Sequence, residues 1–247
     1  STPLYSSAAS DVYKRQVIYE AVKKIKKEYP NVGVICDVAL DPYTSHAHDG
    51  IIINGKVDND KSLKKLVEQA LLLADSGADI LAPSDMMDGR VGRIRKSLEK
   101  KEYHETMIMS YAAKYSSSLY GPFREAVNAG KLVKPENKKS YQMDIANIDE
   151  AMHEIATDIY EVADMIMIKP GLPYLDVISK AKELFSMPTF AYQVSGEYSM
   201  IMSAVNNNHL KELDTILETM YCFKRAGADG IFTYFTPQIL DEISKIS

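Results

Sequence analysis

The chain has 247 residues, of which 46% are hydrophobic, and its formal net charge is −5. This length and composition allow one large domain, whereas the acidic balance and the lack of a Lys/Arg-rich tract argue against a nucleic-acid partner. No apolar run approaches the ~18 residues that a membrane-spanning helix needs. Cys36 and Cys222 lie within apolar or helical patterns, which predicts reduced thiols and a cytoplasmic protein.

Residues 1–16 do not share the patterns of the rest of the chain. They are rich in serine, have no sustained period and lack the apolar core of a signal peptide. We therefore expect a non-native or disordered segment at 1–16, followed by a single domain that comprises residues 17–247.

From residue 17 to the C-terminus, helix-like and strand-like patterns alternate. Short runs that are apolar on both faces predict buried parallel strands at 32–38, 79–84, 107–113, 165–170, 188–194 and 230–235. Amphipathic patterns predict helices at 60–76, 89–100, 148–162, 175–185 and 210–226, in addition to one that begins near Val17. This alternation indicates βαβ units and an α/β fold.

An Ala-Asp pair precedes three of the predicted strands, with its aspartate at Asp79, Asp164 and Asp229. In two cases a glycine, Gly77 or Gly227, stands at the preceding helix end, where a left-handed residue is favoured. The spacing is too irregular for a solenoid, so the recurrence indicates a repeated helix–strand pattern.

Two architectures are compatible with these strands. A closed (β/α)8 barrel needs eight strands, and six are predicted here. An open doubly wound sheet is the alternative, but no glycine-rich phosphate loop follows an early strand, which disfavours it.

Polar side chains stand at the carboxyl ends of all six predicted strands. In a barrel these ends meet on the face that carries the chemistry, so we expect them to form one site. They are Asp37, Ser84, Lys114, Lys169, Gln193 with Ser195, and Tyr234.

Two lysines are the most informative members of this set. Lys169 follows the apolar run MIMI, and desolvation there would lower its pKa and favour a neutral amine that attacks carbonyl carbons. The alternative is a surface lysine whose stem lies along apolar surface. Lys114 ends another strand in the same way, and two like charges in one site lower at least one pKa further. Two amine nucleophiles favour chemistry on two carbonyl substrates.

Several segments of the chain resemble the porphobilinogen synthase family, also called 5-aminolevulinate dehydratase. The segments that carry the resemblance are DVALDPYTSHAHDG (37–50), APSDMMDGRV (82–91), SYAAKYSSSLYGPFR (110–124), KSYQMD (139–144), MIKPGLPYLD (167–176) and YQVSGEYSMI (192–201). The resemblance implies a (β/α)8 TIM barrel, with its first two strands and N-terminal arm absent from this chain. It also implies condensation of two 5-aminolevulinate molecules to porphobilinogen with loss of two waters, a step of tetrapyrrole and heme biosynthesis.

The resemblance assigns roles to the reactive residues. Lys169 and Lys114 correspond to the lysines that hold the substrates of the P and A sites as Schiff bases. Asp37 corresponds to a residue that assists proton transfer, although a strand-end cap is an equally good interpretation.

The resemblance also assigns residues that bind substrate. It implies that Ser195 and Tyr234 hold the P-site carboxylate, and that Arg124, Gln142 and Lys138 hold the A-site carboxylate. Lys138 keeps the charge of the commoner arginine but loses its bidentate geometry. Ser84, Tyr120 and Phe123 correspond to residues that line the pocket, and 115–137 to a lid that excludes water.

The resemblance also bears on metals. Zinc-dependent members have three cysteines where this chain has Ala39, Asp41 and Asp49, which excludes a catalytic three-cysteine zinc site. Carboxylates suit magnesium or a monovalent cation, so Asp41 and Asp49 are candidate ligands. The Asp-bearing variant implies an allosteric magnesium between subunits, held by Glu154.

Three functional hypotheses remain. The first is an active, magnesium-stimulated porphobilinogen synthase that acts on 5-aminolevulinate as a homo-oligomer, which is an octamer in the family. The second is a non-catalytic fragment of such an enzyme. The third is a class I aldolase that uses one lysine, which the two lysines and two carboxylate-binding sets disfavour.

Overall fold

The computed structural model describes residues 17–44, 46–126 and 138–246. The predicted segment 1–16 and residues 127–137 of the predicted lid lie outside these residues. The chain forms two compact units. The first contains the described residues of Ser1–Thr44, His48–Ser110 and Tyr160–Asp164; the second contains those of Ser45–Ala47, Tyr111–Ile159 and Met165–Ser247.

The described residues form eight strands. They are β1 (Ile35–Val38), β2 (Ile51–Ile53), β3 (Lys56–Asp58), β4 (Ile80–Pro83), β5 (Met107–Lys114), β6 (Met165–Lys169), β7 (Thr189–Tyr192) and β8 (Gly230–Phe232). Hydrogen-bonded neighbours follow the order β1-β4-β5-β6-β7-β8, while β2 and β3 form a separate antiparallel pair. The predicted α/β fold and its six strands are therefore confirmed.

The strands alternate with helices. The helices are α1 (Val17–Glu28), α2 (Asn59–Asp75), α3 (Arg90–Lys100), α4 (Gly121–Ala126), α5 (Ile148–Tyr160), α6 (Leu175–Phe185), α7 (Ser195–Asn206), α8 (Glu212–Ala226) and α9 (Thr236–Ile246). None of the helices in the described part of the chain is long and apolar enough to cross a membrane.

Each unit has its own apolar core. In the first unit, Leu66 of α2 and Ile94 of α3 are fully buried as these two helices pack together. In the second unit, Ile201, Ile216 and Phe235 form one cluster that joins α7, α8 and the start of α9. Burial of such side chains contributes roughly 1.5–3 kcal/mol each, which makes these contacts the main stabilising term.

The recurrent Ala-Asp pairs tie neighbouring strands together at their amino ends. The N–H of Asp79 donates to the carbonyl of Val34 (3.0 Å), and its carboxylate accepts the N–H of Val34 (2.7 Å). Asp164 makes the same two bonds with Ile108 (2.9 and 2.7 Å). Asp229 repeats them with Thr189, at 2.8 Å for both bonds. We call this two-bond arrangement the aspartate staple.

Two of the staples include a lysine and a glycine. Lys26 donates to Asp79 at 3.0 Å, and its stem passes over Gly77, which has a φ of +98°. Lys182 donates to Asp229 at 2.6 Å and passes over Gly227, which has a φ of +101°. The predicted left-handed glycines are therefore confirmed, and they also leave room for the lysine stem.

The predicted pattern lacked the β2–β3 hairpin and the helices α4, α7 and α9. The β2–β3 hairpin turns at Asn54 and Gly55, both with positive φ, although Asn-Gly between apolar residues is a strong hairpin signal. Helices α7 and α9 follow strands β7 and β8 without a long polar interval, so their apolar residues merge with the strand pattern.

Candidate active site

The two lysines end neighbouring strands of the second unit. Lys114 is the last residue of β5 and Lys169 is the last residue of β6. The N–H of Tyr115 donates to the carbonyl of Lys169 at 2.9 Å, so the two strand ends are joined where the lysines stand. Lys114 is only 7% exposed, and Lys169 is half-buried.

Aromatic rings surround the amine of Lys169. Its Nζ lies 4.3 Å from the ring centroid of Tyr192, 5.2 Å from that of Tyr111 and 5.7 Å from that of Tyr120. These distances lie within the range of cation–π attraction, which ends at about 6 Å.

A short segment after β5, residues 115–126, lies against the end of β6, and we call it the docked segment. The Tyr120 hydroxyl donates to the carbonyl of Lys169 at 3.1 Å. The ring of Tyr120 also contacts Arg124, whose Cζ lies 5.5 Å from the ring centroid. Tyr120 thus connects a predicted Schiff-base lysine with a predicted carboxylate ligand, and it is 7% exposed.

The same segment rests on the first residues of α7. The Ser195 hydroxyl accepts the N–H of Phe123 at 3.1 Å and donates to the carbonyl of Leu119 at 3.5 Å. A Cβ on Gly196 would lie 2.4 Å from the Leu119 oxygen, so only glycine allows this approach. Phe123 itself is 49% exposed. The predicted lid residues up to Ala126 are therefore docked on α7.

Glu197 binds the backbone of two loops of the candidate site. Its carboxylate accepts the N–H groups of Leu172 (2.7 Å) and Gly171 (3.3 Å), just after Lys169, and of Val194 (2.7 Å), just before Ser195. The side chain is completely buried, and burial raises its pKa although the three N–H groups favour the carboxylate. Sequence reasoning missed Glu197. Its position as the third residue of a helix, where Glu reaches back to the preceding N–H, was the available signal.

Two further predicted strand-end residues have mainly structural surroundings. The Gln193 amide oxygen accepts the Thr233 hydroxyl at 2.6 Å, and the side chain is fully buried. Tyr234 is 45% exposed, and its ring lies 5.6 Å from that of Tyr198 on α7. Tyr234 therefore stands beside the helix that begins at Ser195.

Lys138 and Gln142 lie in a tight turn next to the end of β5. Both are buried, and the Gln142 N–H donates to the Lys138 carbonyl at 2.9 Å. Met143, which follows directly, donates its N–H to the carbonyl of Lys114 at 3.0 Å. Within the described residues the Gln142 Oε1 atom is buried and has no hydrogen-bond partner. The turn thus carries both side chains to the lysine end of β5.

Two further predicted strand-end residues, Asp37 and Ser84, lie in the first unit. Asp37 is exposed on β1, whereas Ser84 is 5% exposed and donates its N–H to the Val38 carbonyl at 3.2 Å. These two residues therefore stand at the carboxyl ends of β1 and β4, as predicted.

A buried carboxyl group that sequence reasoning missed follows Ser84. Asp85 is fully buried, its Oδ1 accepts the Met87 N–H at 2.8 Å, and its Oδ2 lies 3.9 Å from the Nε of Arg90. Burial raises the pKa of Asp85 to about 7, even though Arg90 favours the ionised form. Arg90 in turn donates to the Ser110 hydroxyl at 3.0 Å. An acid directly after a buried strand, followed by an arginine at a helix start, was the available signal.

The predicted metal ligands do not form a metal centre by themselves. Among residues 17–44, 46–126 and 138–246, no group of three His, Cys, Asp or Glu side chains could hold a metal ion. Asp49 is buried, Asp41 is half-buried and Glu154 lies half-buried on α5. The oxygen ligands suit magnesium by their chemistry, but their number does not complete a site.

Comparison with known proteins gives a consistent result. The family model described as delta-aminolevulinic acid dehydratase matches residues 5–242. The delta-aminolevulinic acid dehydratase of Bradyrhizobium diazoefficiens is 53% identical over 92% of this chain and 64% of its own length. That of Methanothermus sociabilis is 49% identical over 97% of this chain and 73% of its own.

A solved structure has the same fold. The crystal structure of delta-aminolevulinic acid dehydratase from Toxoplasma gondii, in complex with its reaction product porphobilinogen, matches with a TM-score of 0.89 and 45% identity. The match covers 95% of this chain and 67% of that one. The chain therefore spans about two thirds of the length of the relatives that it matches.

Proposed function

The chain belongs to the delta-aminolevulinic acid dehydratase family, and from that premise we propose that it condenses two molecules of 5-aminolevulinate to porphobilinogen. The observation that carries the proposal is the pair of lysines at the joined ends of β5 and β6. The Toxoplasma gondii relative, which binds porphobilinogen as its product, supports the same reaction.

Each lysine would act as a nucleophile. The neutral amine attacks the ketone carbon of one substrate, and a C–N bond forms. The C–O bonds break, the ketone oxygen leaves as water with the two amine hydrogens, and the imine nitrogen takes up one proton from solvent, which makes the Schiff base cationic. The cationic Schiff base then withdraws electrons from the adjacent carbon, so that a proton can leave that carbon and a C–C bond can form. We assign Lys169 to the P-site substrate and Lys114 to the A-site substrate, and Asp37 to assistance with proton transfer.

The carboxylate of the P-site substrate would be held by Ser195 and Tyr234. Hydroxyl groups donate hydrogen bonds to a carboxylate, and both residues stand at the same end of α7. The Ser195 hydroxyl now bonds the backbone of Leu119 and Phe123, so substrate would have to exchange with these bonds or share them. Binding at Ser195 is thereby linked to the position of the docked segment.

The carboxylate of the A-site substrate would be held by Arg124, Lys138 and Gln142. Arg124 lies on the ring of Tyr120, and the other two occupy the turn beside the end of β5. Two cations and an amide donor suit a small carboxylate. Ser84, Tyr120 and Phe123 would line the pocket, and the docked segment would exclude water from the Schiff bases.

Three further properties are proposals from the family resemblance. We propose that magnesium stimulates the enzyme and is bound by Glu154, and that the enzyme also binds a monovalent cation. Asp41 and Asp49 are further candidate residues for binding either metal ion. We propose a homo-oligomer, with the octamer of the family as the specific expectation. We also propose a cytoplasmic location for this chain, although plant relatives are described as chloroplastic.

The deciding experiment follows both the product and the Schiff bases. The purified chain is incubated with 5-aminolevulinate, with magnesium or with a chelator, and porphobilinogen is assayed. Parallel samples are treated with borohydride, which reduces the Schiff base to a stable adduct that mass spectrometry can locate. We expect product formation and adducts on Lys169 and Lys114.

The variants distinguish the alternatives. Product formation should disappear in Lys169→Ala and in Lys114→Ala, while Lys180→Ala, which replaces a half-buried lysine on α6, should retain it. An adduct on one lysine only, with cleavage or addition of another carbonyl compound, would favour the aldolase. A folded chain without adduct or product would contradict the proposal and favour the non-catalytic fragment.

A further inference from the structure

We propose that the ring faces of Tyr111, Tyr120 and Tyr192 form a cage for the positive charge that Lys169 carries as a Schiff-base iminium. The inference rests on the proposed function, because an iminium requires a ketone substrate on Lys169. The three ring centroids lie 5.2, 5.7 and 4.3 Å from Nζ in the free chain. All three are within the ~6 Å reach of cation–π attraction.

The rings come from three different segments that surround β6. Tyr111 lies on β5 and Tyr192 on β7, and these are the two neighbours of β6 in the strand order. Tyr120 belongs to the docked segment and donates its hydroxyl to the Lys169 carbonyl. The cage is therefore complete in the docked arrangement that the structure shows.

Packing holds the rings in place before substrate binds. Tyr111 is 5% exposed and Tyr120 is 7% exposed. Tyr192 stacks on Phe232 of β8, with ring centroids 5.7 Å apart and an interplanar angle of 24°. Rings that are already fixed lose little conformational freedom when they bind a cation.

The chemistry explains why aromatic faces suit this position. When a protonated lysine condenses with a ketone, one C–N bond forms, the C–O bonds break, and the oxygen leaves as water with two of the three hydrogens of the ammonium. The single positive charge stays on the new C=N group. A ring face attracts that charge but does not accept its proton, so the iminium remains the electron-withdrawing form.

The rings favour the iminium over the free ammonium. In the free chain Lys169 is half-buried, and a substrate bound to it would cover its nitrogen further. Cation–π attraction is about two- to fourfold stronger at a desolvated site than at an exposed one. Loss of one ring should therefore reduce the population of iminium by roughly three- to tenfold.

The test replaces the ring of Tyr192 in graded steps. Phenylalanine and phenylalanines with one, two or three ring fluorines keep the shape but progressively weaken the negative ring face. With 5-aminolevulinate below saturation, borohydride-trapped adduct on Lys169 should be nearly unchanged in Tyr192→Phe. It should then fall stepwise, to roughly a third to a tenth in the trifluoro form and in Tyr192→Leu.

Packing is controlled at the neighbouring ring. Phe232→Leu removes a stacked ring without removing one that faces Lys169, and it should keep most of the adduct. An amount of Lys169 adduct that stays constant along the fluorine series would contradict the cage. An equal loss in Phe232→Leu and Tyr192→Leu would do the same, because it would show that general packing sets the amount of adduct.

A second readout separates this inference from the proposed function. If the unmodified chain gives no adduct with 5-aminolevulinate, the proposed function fails, and the cage is then tested on Lys169 after reductive methylation with formaldehyde. Methyl NMR signals, assigned by their loss in Lys169→Arg, should be shifted upfield by the rings and should return to ordinary values in Tyr192→Leu. Signals without ring-current shifts in the unmodified sequence would refute the cage by itself.

Discussion

Acidic side chains at the two ends of the strands have opposite surroundings. At the amino ends of β4 and β8, burial alone would raise the pKa of Asp79 and Asp229, but backbone N–H groups and a lysine outweigh it and hold each pKa below its usual range. At the carboxyl ends, burial prevails: it raises the pKa of Asp85 to about 7 and also raises that of Glu197.

This difference separates stability from positioning. A carboxylate with a lowered pKa stabilises the fold at neutral pH, and Asp79 and Asp229 do so at the amino ends of their strands. A carboxyl group with a raised pKa costs stability when it ionises. Asp85 and Glu197 nevertheless hold backbone N–H groups in the loops that follow β4 and β6, respectively. We infer that they are retained for geometry rather than for stability.

The largest effect should come from removing Glu197. Glu197→Ala leaves the N–H groups of Gly171, Leu172 and Val194 without their acceptor and frees the loops that follow Lys169 and precede Ser195. Displacement of a reacting group by about 1 Å can cost on the order of a hundredfold in rate, which we expect for porphobilinogen formation. The measurement is kcat together with borohydride-trapped adduct on Lys169 and on Lys114.

The adduct distribution identifies the cause in that variant. Selective loss on Lys169 with a largely retained Lys114 adduct would support a positioning role, whereas equal loss on both lysines would indicate general unfolding. Glu197→Gln keeps one acceptor oxygen and should recover part of the activity. A fully active Glu197→Ala enzyme would contradict the inference that Glu197 positions the loops of the candidate site.

The second effect is a pH dependence of stability that originates at Asp85. Its pKa is about 7 in the folded chain and about 3.8 when unfolded, so between these values the unfolded state binds fewer protons. Stability is therefore present below about pH 4 and is lost as the pH rises to about 7. One pKa unit corresponds to about 1.4 kcal/mol, and after allowance for relaxation of a buried group we expect a loss on the order of 2 kcal/mol.

Urea unfolding at several pH values measures this dependence. Asp85→Asn keeps the shape of the side chain but cannot ionise, so its stability should vary less between about pH 4 and about pH 7. Asp229→Asn serves as the control and should keep the dependence on Asp85. Identical pH profiles for Asp85→Asn and the unmodified chain would show that Asp85 ionises with an ordinary pKa.

The third effect concerns Gly196, where the docked segment lies directly on α7. Gly196→Ala places a Cβ 2.4 Å from the Leu119 oxygen, so the segment must move away. We expect roughly a tenfold rise in KM, since Tyr120 and Arg124 move with the segment and a tenfold change corresponds to about 1.4 kcal/mol of binding. Gly33→Ala, where the Cβ meets nothing within 4 Å, should change neither KM nor kcat. An unchanged KM in Gly196→Ala would separate docking from substrate binding.

The fourth effect tests the opposite strand ends. Asp229→Ala removes the acceptor for the Thr189 N–H and for Lys182, and should lower the free energy of unfolding by about 1 kcal/mol at neutral pH, since the side chain is partly exposed. Because its pKa is lowered, this contribution is lost as the pH falls below about 4. Activity per folded molecule should not change. A loss of kcat in Asp229→Ala would show that a carboxylate at the amino end of a strand affects catalysis as well as stability.

The sequence made some of these features predictable and others not. The staples follow a local pattern, Ala-Asp before an apolar run, and Lys114 and Lys169 were recognisable as charges after apolar strands. The contact of Leu119 with Gly196 joins residues 77 positions apart, and the burial of Asp85 depends on Arg90 and on packing around β4. Local spacing contains no information about such approaches. The β2–β3 hairpin, in contrast, could have been predicted, because Asn54-Gly55 is a recognisable turn sequence.

The smallest effect concerns the staple that departs from the glycine pattern. Gly77 and Gly227 precede two of the Ala-Asp pairs with positive φ, but Val162 occupies the same place before Asp164 with a φ of 70° and is 58% exposed. A left-handed conformation costs a residue with a Cβ roughly 1–2 kcal/mol, and a change to glycine removes this cost. Glycine also makes the unfolded chain more flexible, which offsets about 0.5–1 kcal/mol of the gain. Val162→Gly should therefore raise the free energy of unfolding by about 0.5–1 kcal/mol without affecting kcat. Val205→Gly, within helix α7, is the control and should lower the free energy of unfolding by a similar or larger amount. If Val162→Gly is less stable than the unmodified chain, packing of the valine side chain outweighs its backbone strain.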